Sequence, residues 1–102
     1  MNQQAMLRKM QQLKREMEKA QEEIVNTEFK TSCGPVTVIM MGDRELKQVI
    51  FEEGFEANTP DDLEMLSDMI VAATHQACEE IDRFTNEKMG KYGSMLGGFG
   101  GF

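Results

Sequence analysis

Residues 34–51 constrain the fold more than any other stretch of the chain. They read Gly34-Pro35, then Val36-Thr37-Val38-Ile39-Met40-Met41, then Gly42-Asp43-Arg44-Glu45, then Leu46-Lys47-Gln48-Val49-Ile50-Phe51. Two short runs rich in β-branched and aromatic residues, parted by a glycine-containing turn, form the pattern of a β-hairpin. Everything before this stretch, and nearly everything after Thr59, has helical spacing instead. A small sheet is therefore expected in the middle of the chain, with a long helix at each end.

The hairpin also bears on assembly. A sheet with one face in water should show one polar set of alternate residues. Here Val36, Val38 and Met40 alternate with Thr37, Ile39 and Met41, and both sets are largely apolar. In the second run Leu46 and Ile50 fall on one side, Val49 and Phe51 on the other. Two helices of one chain can cover one face of so small a sheet. A second copy is expected to cover the rest, or to extend the sheet edge to edge.

Met6, Met10, Leu13, Met17, Ala20 and Ile24 recur at alternating steps of four and three, a heptad seam about three repeats long. Nothing between Gln3 and Val25 breaks a helix. The seam is narrow, which suits packing on one other helix; an amphipathic helix lying on its own sheet is the alternative. The charges of this helix oppose its dipole: Arg8, Lys9, Lys14, Arg15 and Lys19 come early, and Glu22 and Glu23 close it. Arg8, Gln12, Arg15 and Lys19 line the side away from the seam. Such a stripe can meet phosphates, stand solvated, or pair with an acidic helix running antiparallel.

Residues 27–33 alternate, with Phe29, Thr31 and Cys33 on one side and Glu28, Lys30 and Ser32 on the other, as a half-exposed first strand does. Glu52, Glu53, Gly54, Glu56 and Asn58 make a polar connector. Thr59 can cap the second helix, Pro60 suits its first position, and Asp61 and Asp62 complement its positive end. Leu63, Leu66, Ile70, Ala73, Ala77, Ile81 and Phe84 form its apolar stripe. Met69 widens it, and Ala72, Ala73 and Ala77 allow close approach to the sheet. This helix is expected to end near Met89, so that residues 1–89 form a single domain and residues 90–102 a flexible Gly/Phe tail.

The fold class is thus α+β, in the order α-β-β-β-α. The chain carries a formal net charge of −7, which by composition alone disfavours nucleic acid and anionic membranes. Neither an 18-residue apolar run nor a basic start leading into one occurs, so no membrane span or secretory signal is expected. Cys33 and Cys78 are expected to be reduced thiols of a cytoplasmic protein. His75 and Cys78 lack the paired ligand spacing of a metal site, and no nucleophile elbow, P-loop or dinucleotide fingerprint accompanies them. No cofactor, metal, small-molecule substrate or enzymatic activity is expected.

Particular words in this order resemble the bacterial YbaB/EbfC family. They are Met10-Gln11-Gln12-Leu13 through Met17, Gln21-Glu22-Glu23-Ile24, Gly34-Pro35-Val36-Thr37-Val38, and Gly42 with Val49-Ile50. Asp62-Leu63-Glu64-Met65-Leu66-Ser67-Asp68-Met69-Ile70-Val71-Ala72-Ala73 and Lys88-Met89 follow. The resemblance implies a cytoplasmic, nucleoid-associated homodimer that binds double-stranded DNA without catalysis, its helices projecting like tweezers from a shared sheet. Carried over to this chain, the DNA-binding candidates are Arg8, Lys9, Lys14, Arg15 and Lys19, with Arg83, Lys88 and Lys91 toward the other end. Met41 departs from the asparagine usual before Gly42, and the tail lacks the usual proline-glycine ending. A module that uses its long helices to engage another protein, without touching DNA, is the competing reading.

Overall fold

In the computed structural model, which describes residues 2–97, helix α1 (Gln3–Val25) is followed by strands β1 (Glu28–Cys33), β2 (Val36–Met41) and β3 (Leu46–Phe51). Helix α2 (Pro60–Gly97) completes the chain. The strands form one antiparallel sheet in the order β1-β2-β3. This is the α-β-β-β-α order expected from the sequence. Asn2 caps α1 by accepting from the Ala5 N–H at 2.7 Å. At its other end the Asn26 side chain donates to the Glu22 carbonyl and the Thr27 hydroxyl to that of Glu23, so the last carbonyls find partners. The Thr59 hydroxyl accepts from the Asp62 N–H at 3.1 Å and starts α2 as expected.

One face of the sheet packs on α2. Phe29, Val36, Val38 and Met40 meet Ala73, Ala77 and Ile81 in a buried cluster. Ala73 and Ala77 are fully enclosed; their small side chains bring the helix backbone so close that the Thr31 hydroxyl donates to the Ala73 carbonyl at 2.6 Å. Cys33, Val49, Leu66, Met69, Ile70, Cys78 and Phe84 pack around this centre. Two stripe assignments need correcting. Leu63 is 57% exposed, because it stands at the start of α2, short of the sheet. Ala72 is exposed because it lies beside Ala73 on the turn that faces away.

The far face holds Thr37, Ile39 and Met41, half-buried between the side chains of neighbouring strands. A Ser32–Thr37 hydroxyl pair and a Lys47–Glu28 ion pair also belong to this side. The register shifts between Ile39 and Met40, so that Met40 pairs with Leu46 while Ile39 pairs with Gln48. Directly paired residues share a face. The shift therefore moves Leu46 to the side of Val49 and Phe51, not the side of Ile50, as strict alternation had it.

Two glycines act in different ways. Gly34 turns β1 into β2 at φ +57, a conformation that suits glycine. Gly42 takes no such angle. A Cβ there would lie 1.8 Å from the Ile24 carbonyl oxygen, and its N–H donates to the Thr27 carbonyl at 3.1 Å. Gly42 is the point where the β2–β3 turn presses on the end of α1. The left-handed residue of that turn is Arg44, at φ +70.

Helix α2 corrects the expected boundary near Met89. It continues through Gly90 and Gly93 to Gly97, because Tyr92 is buried at 5% exposure beside α1 and adds tertiary packing where local propensity is poor. Residues 98–102 of the expected tail lie outside the described residues. The molecule measures 71 × 22 × 14 Å, with a radius of gyration of 20.2 Å; a compact domain of this length would have about 13 Å. One end of the chain thus stands clear of the sheet.

Two glycine substitutions test this description by chemical denaturation. Gly42→Ala is expected to destabilise the protein by about 3 kcal/mol, since the backbone it meets cannot yield easily. Gly90→Ala, inside a helix with open space around the new methyl, is expected to stabilise it by about 0.8 kcal/mol.

Candidate nucleic-acid interface

Helix α1 packs chiefly on α2, as its narrow seam suggested, and touches the β2–β3 turn where Ile24 meets Gly42. Leu13 and Ile24 are buried, Met17 and Ala20 half-buried, and Met6 and Met10 exposed. The two helices run antiparallel. Lys88 donates to Glu23 at 3.2 Å, and one step further along α2 Tyr92 lines the same cleft as Glu16 and Ala20. The first half of α1 and the last turns of α2 together form an arm extending beyond the sheet.

The basic residues expected at the site are collected on or near this arm, except Arg83, which stands on the part of α2 over the sheet, next to the Phe84 that packs on Phe29. Arg8, Lys9, Lys14, Arg15 and Lys19 are all exposed, as are Arg83 and Lys91. The ion pairs among the described residues are Arg44–Asp82, Lys47–Glu28 and Lys88–Glu23, and His75 meets Glu79 in a contact that is ionic only when the imidazole is protonated. None uses those seven side chains. Lys88 differs: it is half-buried, paired with Glu23, and placed 5.5 Å from the centre of the Phe84 ring. The Lys91 ammonium lies 5.0 Å from the Tyr92 ring centre and stays exposed.

Charge is partitioned along the molecule. Residues 2–15 hold four basic side chains and no acidic one, while residues 48–82 hold ten acidic side chains and no Lys or Arg. Whole-chain charge therefore misdescribes the arm. From Glu64 to Lys88 along α2 is about 36 Å, several times the screening length of about 8 Å at physiological salt. The acidic side chains up to Asp68 scarcely act on an anion held at the arm, whereas Glu79, Glu80 and Asp82 lie within about 14 Å of Lys88 along α2. Arg8 and Lys19 are about 16 Å apart along the axis of α1, enough to meet a few successive phosphates.

The remaining sequence candidates separate in space. His75 is exposed and pairs with Glu79 at 3.0 Å, whereas the Cys78 thiol faces inward and donates to the Met40 sulfur at 3.8 Å. Among the described residues no group of His, Cys, Asp or Glu converges to hold a metal, and no helix is long and apolar enough to cross a membrane. Arg44 was not singled out from sequence. It spans from the β2–β3 turn to Asp82 on α2, whose hydrogen bond raises the guanidinium pKa above its ordinary value. Nothing local in the sequence pairs residues 44 and 82.

The family model described as the YbaB/EbfC DNA-binding family matches residues 1–96. The chain is 36% identical over 100 residues to a nucleoid-associated protein of Ligilactobacillus salivarius, covering 96% of this chain and 94% of that one. It is 38% identical over 94 residues to a nucleoid-associated protein of Lactococcus lactis subsp. lactis, covering 90% and 93%. Among solved structures, the crystal structure of an uncharacterized protein from Helicobacter pylori is similar with a TM-score of 0.66. That match covers 93% of this chain and 98% of that one at 18% identity, a likeness of fold.

Proposed function

The chain belongs to the YbaB/EbfC DNA-binding family, and from that premise we propose that it is a nucleoid-associated protein that grips duplex DNA as a homodimer. Residues 2–97 act in this reading as a single domain, past the boundary expected near Met89. The observation that carries it is the arm: a helix end, residues 2–15, whose charged side chains are all basic, exposed and unpaired within the described residues. Arg8, Arg15 and Lys19 form the central line of contact, Lys9 and Lys14 flank it, and Arg83 and Lys91 support it from α2. The three central residues would each meet a phosphate oxygen as a charged donor, which positions the duplex without reading its sequence, and the other four add to the local positive potential. The role is architectural or regulatory and needs no cofactor, and its place is the bacterial nucleoid in the cytoplasm.

The homodimer rests on uncovered apolar surface. Leu46 and Phe51 stand exposed on strand β3, and Leu63, Met65 and Val71 on the first half of α2. Ile39, Met41 and Ile50 are half-buried on the face that no helix of the same chain covers. Leu46 and Phe51 belong to the other face, the one α2 partly covers, and a second copy brought against either surface would remove it from water.

A titration with fluorescent duplex at several salt concentrations tests the first half of the proposal. With about three phosphates per arm and about six per dimer, affinity is expected to fall about a thousandfold between about 50 and 200 mM salt. Changing Arg8, Arg15 and Lys19 together to alanine should flatten that dependence and abolish most of the binding. Absence of binding by the wild-type protein near 50 mM salt would return the long helices to a protein partner. Light scattering at micromolar concentration tests the second half, where the expected mass is that of two chains and a single-chain mass rules the dimer out.

A further inference from the structure

The mechanics of the arm rest on one end of α2, where a chain of contacts runs from the sheet core to α1. Phe84 meets Phe29 of β1 edge-on, with ring centres 5.4 Å apart and planes at 74°. Lys88 lies one turn further on, 5.5 Å from the Phe84 ring centre, and its ammonium reaches Glu23 of α1 at 3.2 Å. One more turn places Tyr92, buried at 5% exposure, in the cleft lined by Glu16 and Ala20. Residues 84, 88 and 92 occupy successive turns of one helix face. Each hands α1 to the next.

This arrangement also accounts for an acid in an unfavourable place. Glu23 sits in the last turn of α1, where the helix dipole disfavours negative charge, and α1 has no basic residue of its own in that turn. Lys88 supplies the missing countercharge from α2. A lysine committed to this carboxylate, and half-buried against an aromatic ring, is poorly placed to reach out to a phosphate.

We propose, resting on the DNA-binding reading above, that Tyr92 and Lys88 are positioning residues. They hold the α1 basic stripe at a fixed angle to the sheet and do not themselves contact DNA. Lys88 therefore leaves the set of phosphate contacts, and the end of α2 becomes the strut that keeps the two arms of a dimer preorganised for a duplex. Without it α1 would have to be ordered at each binding event, which costs affinity without changing how many phosphates are met.

The test uses the full chain and duplex DNA at several salt concentrations. Tyr92→Ala is expected to bind about tenfold more weakly with an unchanged salt slope, and Tyr92→Phe to bind like the wild type. Lys88→Gln should likewise weaken binding without altering the slope. Glu23→Gln should also weaken it, although it removes a negative charge. If instead Lys88→Gln lowers the slope by about one and Glu23→Gln tightens binding, Lys88 is a phosphate contact and the strut is refuted. Lys88→Gln and Glu23→Gln carry the test should Tyr92→Ala fail to fold.

A second readout does not depend on DNA. Spin labels at Gln4→Cys and Asn58→Cys, in a Cys33→Ser, Cys78→Ala background diluted with unlabelled protein, report the arm-to-body distance. That distribution should broaden with Tyr92→Ala and stay narrow with Tyr92→Phe. An unbroadened distribution in Tyr92→Ala overturns the strut whatever the DNA titration shows. Broadening in a protein whose wild type binds no duplex would uphold the strut and sink the DNA reading alone.

Discussion

A mismatch of lengths governs this structure. A strand of six residues extends about 20 Å, whereas a helix of 38 residues extends about 57 Å. Three such strands can shelter only part of such a helix, wherever it docks. The docking point is fixed near the middle of α2, because only there do Ala73 and Ala77 let the sheet approach closely enough for Thr31 to bond a helix carbonyl. Both ends of α2 must then overhang. The leading overhang leaves Leu63 in water, and the trailing one finds α1.

The charge pattern is arranged around the same mismatch. The leading end of α2 and the connector before it are acidic, and the trailing end meets a helix whose first turns are wholly basic. In a compact domain, with a radius of gyration of about 13 Å, the acidic and basic stretches would lie nearer one another and each would weaken the other's field more. Stretched over 71 Å, they stand further apart. A protein of net charge −7 thereby presents a positive surface to a polyanion, and elongation is what makes that possible.

Much of this was legible in the sequence, for local reasons. The bounds of α1, β2 and β3, the inward set Phe29, Thr31 and Cys33, and the Thr59 cap all follow from period and turn chemistry. The basic stripe was legible for the same reason, since spacing alone places Arg8, Arg15 and Lys19 on one side of a helix. What escaped depends on residues far apart in sequence. Gly42 reads as a turn glycine, yet the turn takes its positive φ at Arg44, and the glycine is needed because Ile24 passes behind it. Glycines at 90 and 93 read as the end of a helix, yet Tyr92 packs on α1 and carries the helix past them. Lys88 reads as one more arm cation, and nothing local in the sequence announces its pairing with Glu23, 65 residues away. Side-chain alternation in β3 likewise fails at a register shift that no local pattern announces.

Two uncovered apolar surfaces could join a pair of chains, and their charges distinguish them. The tips of α1 expose Met6, Leu7 and Met10, but those residues are interleaved with Arg8 and Lys9, with no acid before Glu16. Bringing two tips together places like charges within a few ångströms, at a cost of about 1 kcal/mol per close pair even in water. On the open face of the sheet, Ile39, Met41 and Ile50 stand beside a Lys47–Glu28 pair and Lys30, a nearly neutral setting in which apolar burial goes unopposed. In the proposed homodimer the sheet face is therefore the better seam, and the tips are left apart by their own repulsion. In that proposed arrangement the same charges that keep two tips from pairing with each other leave them free to meet the phosphates of a duplex.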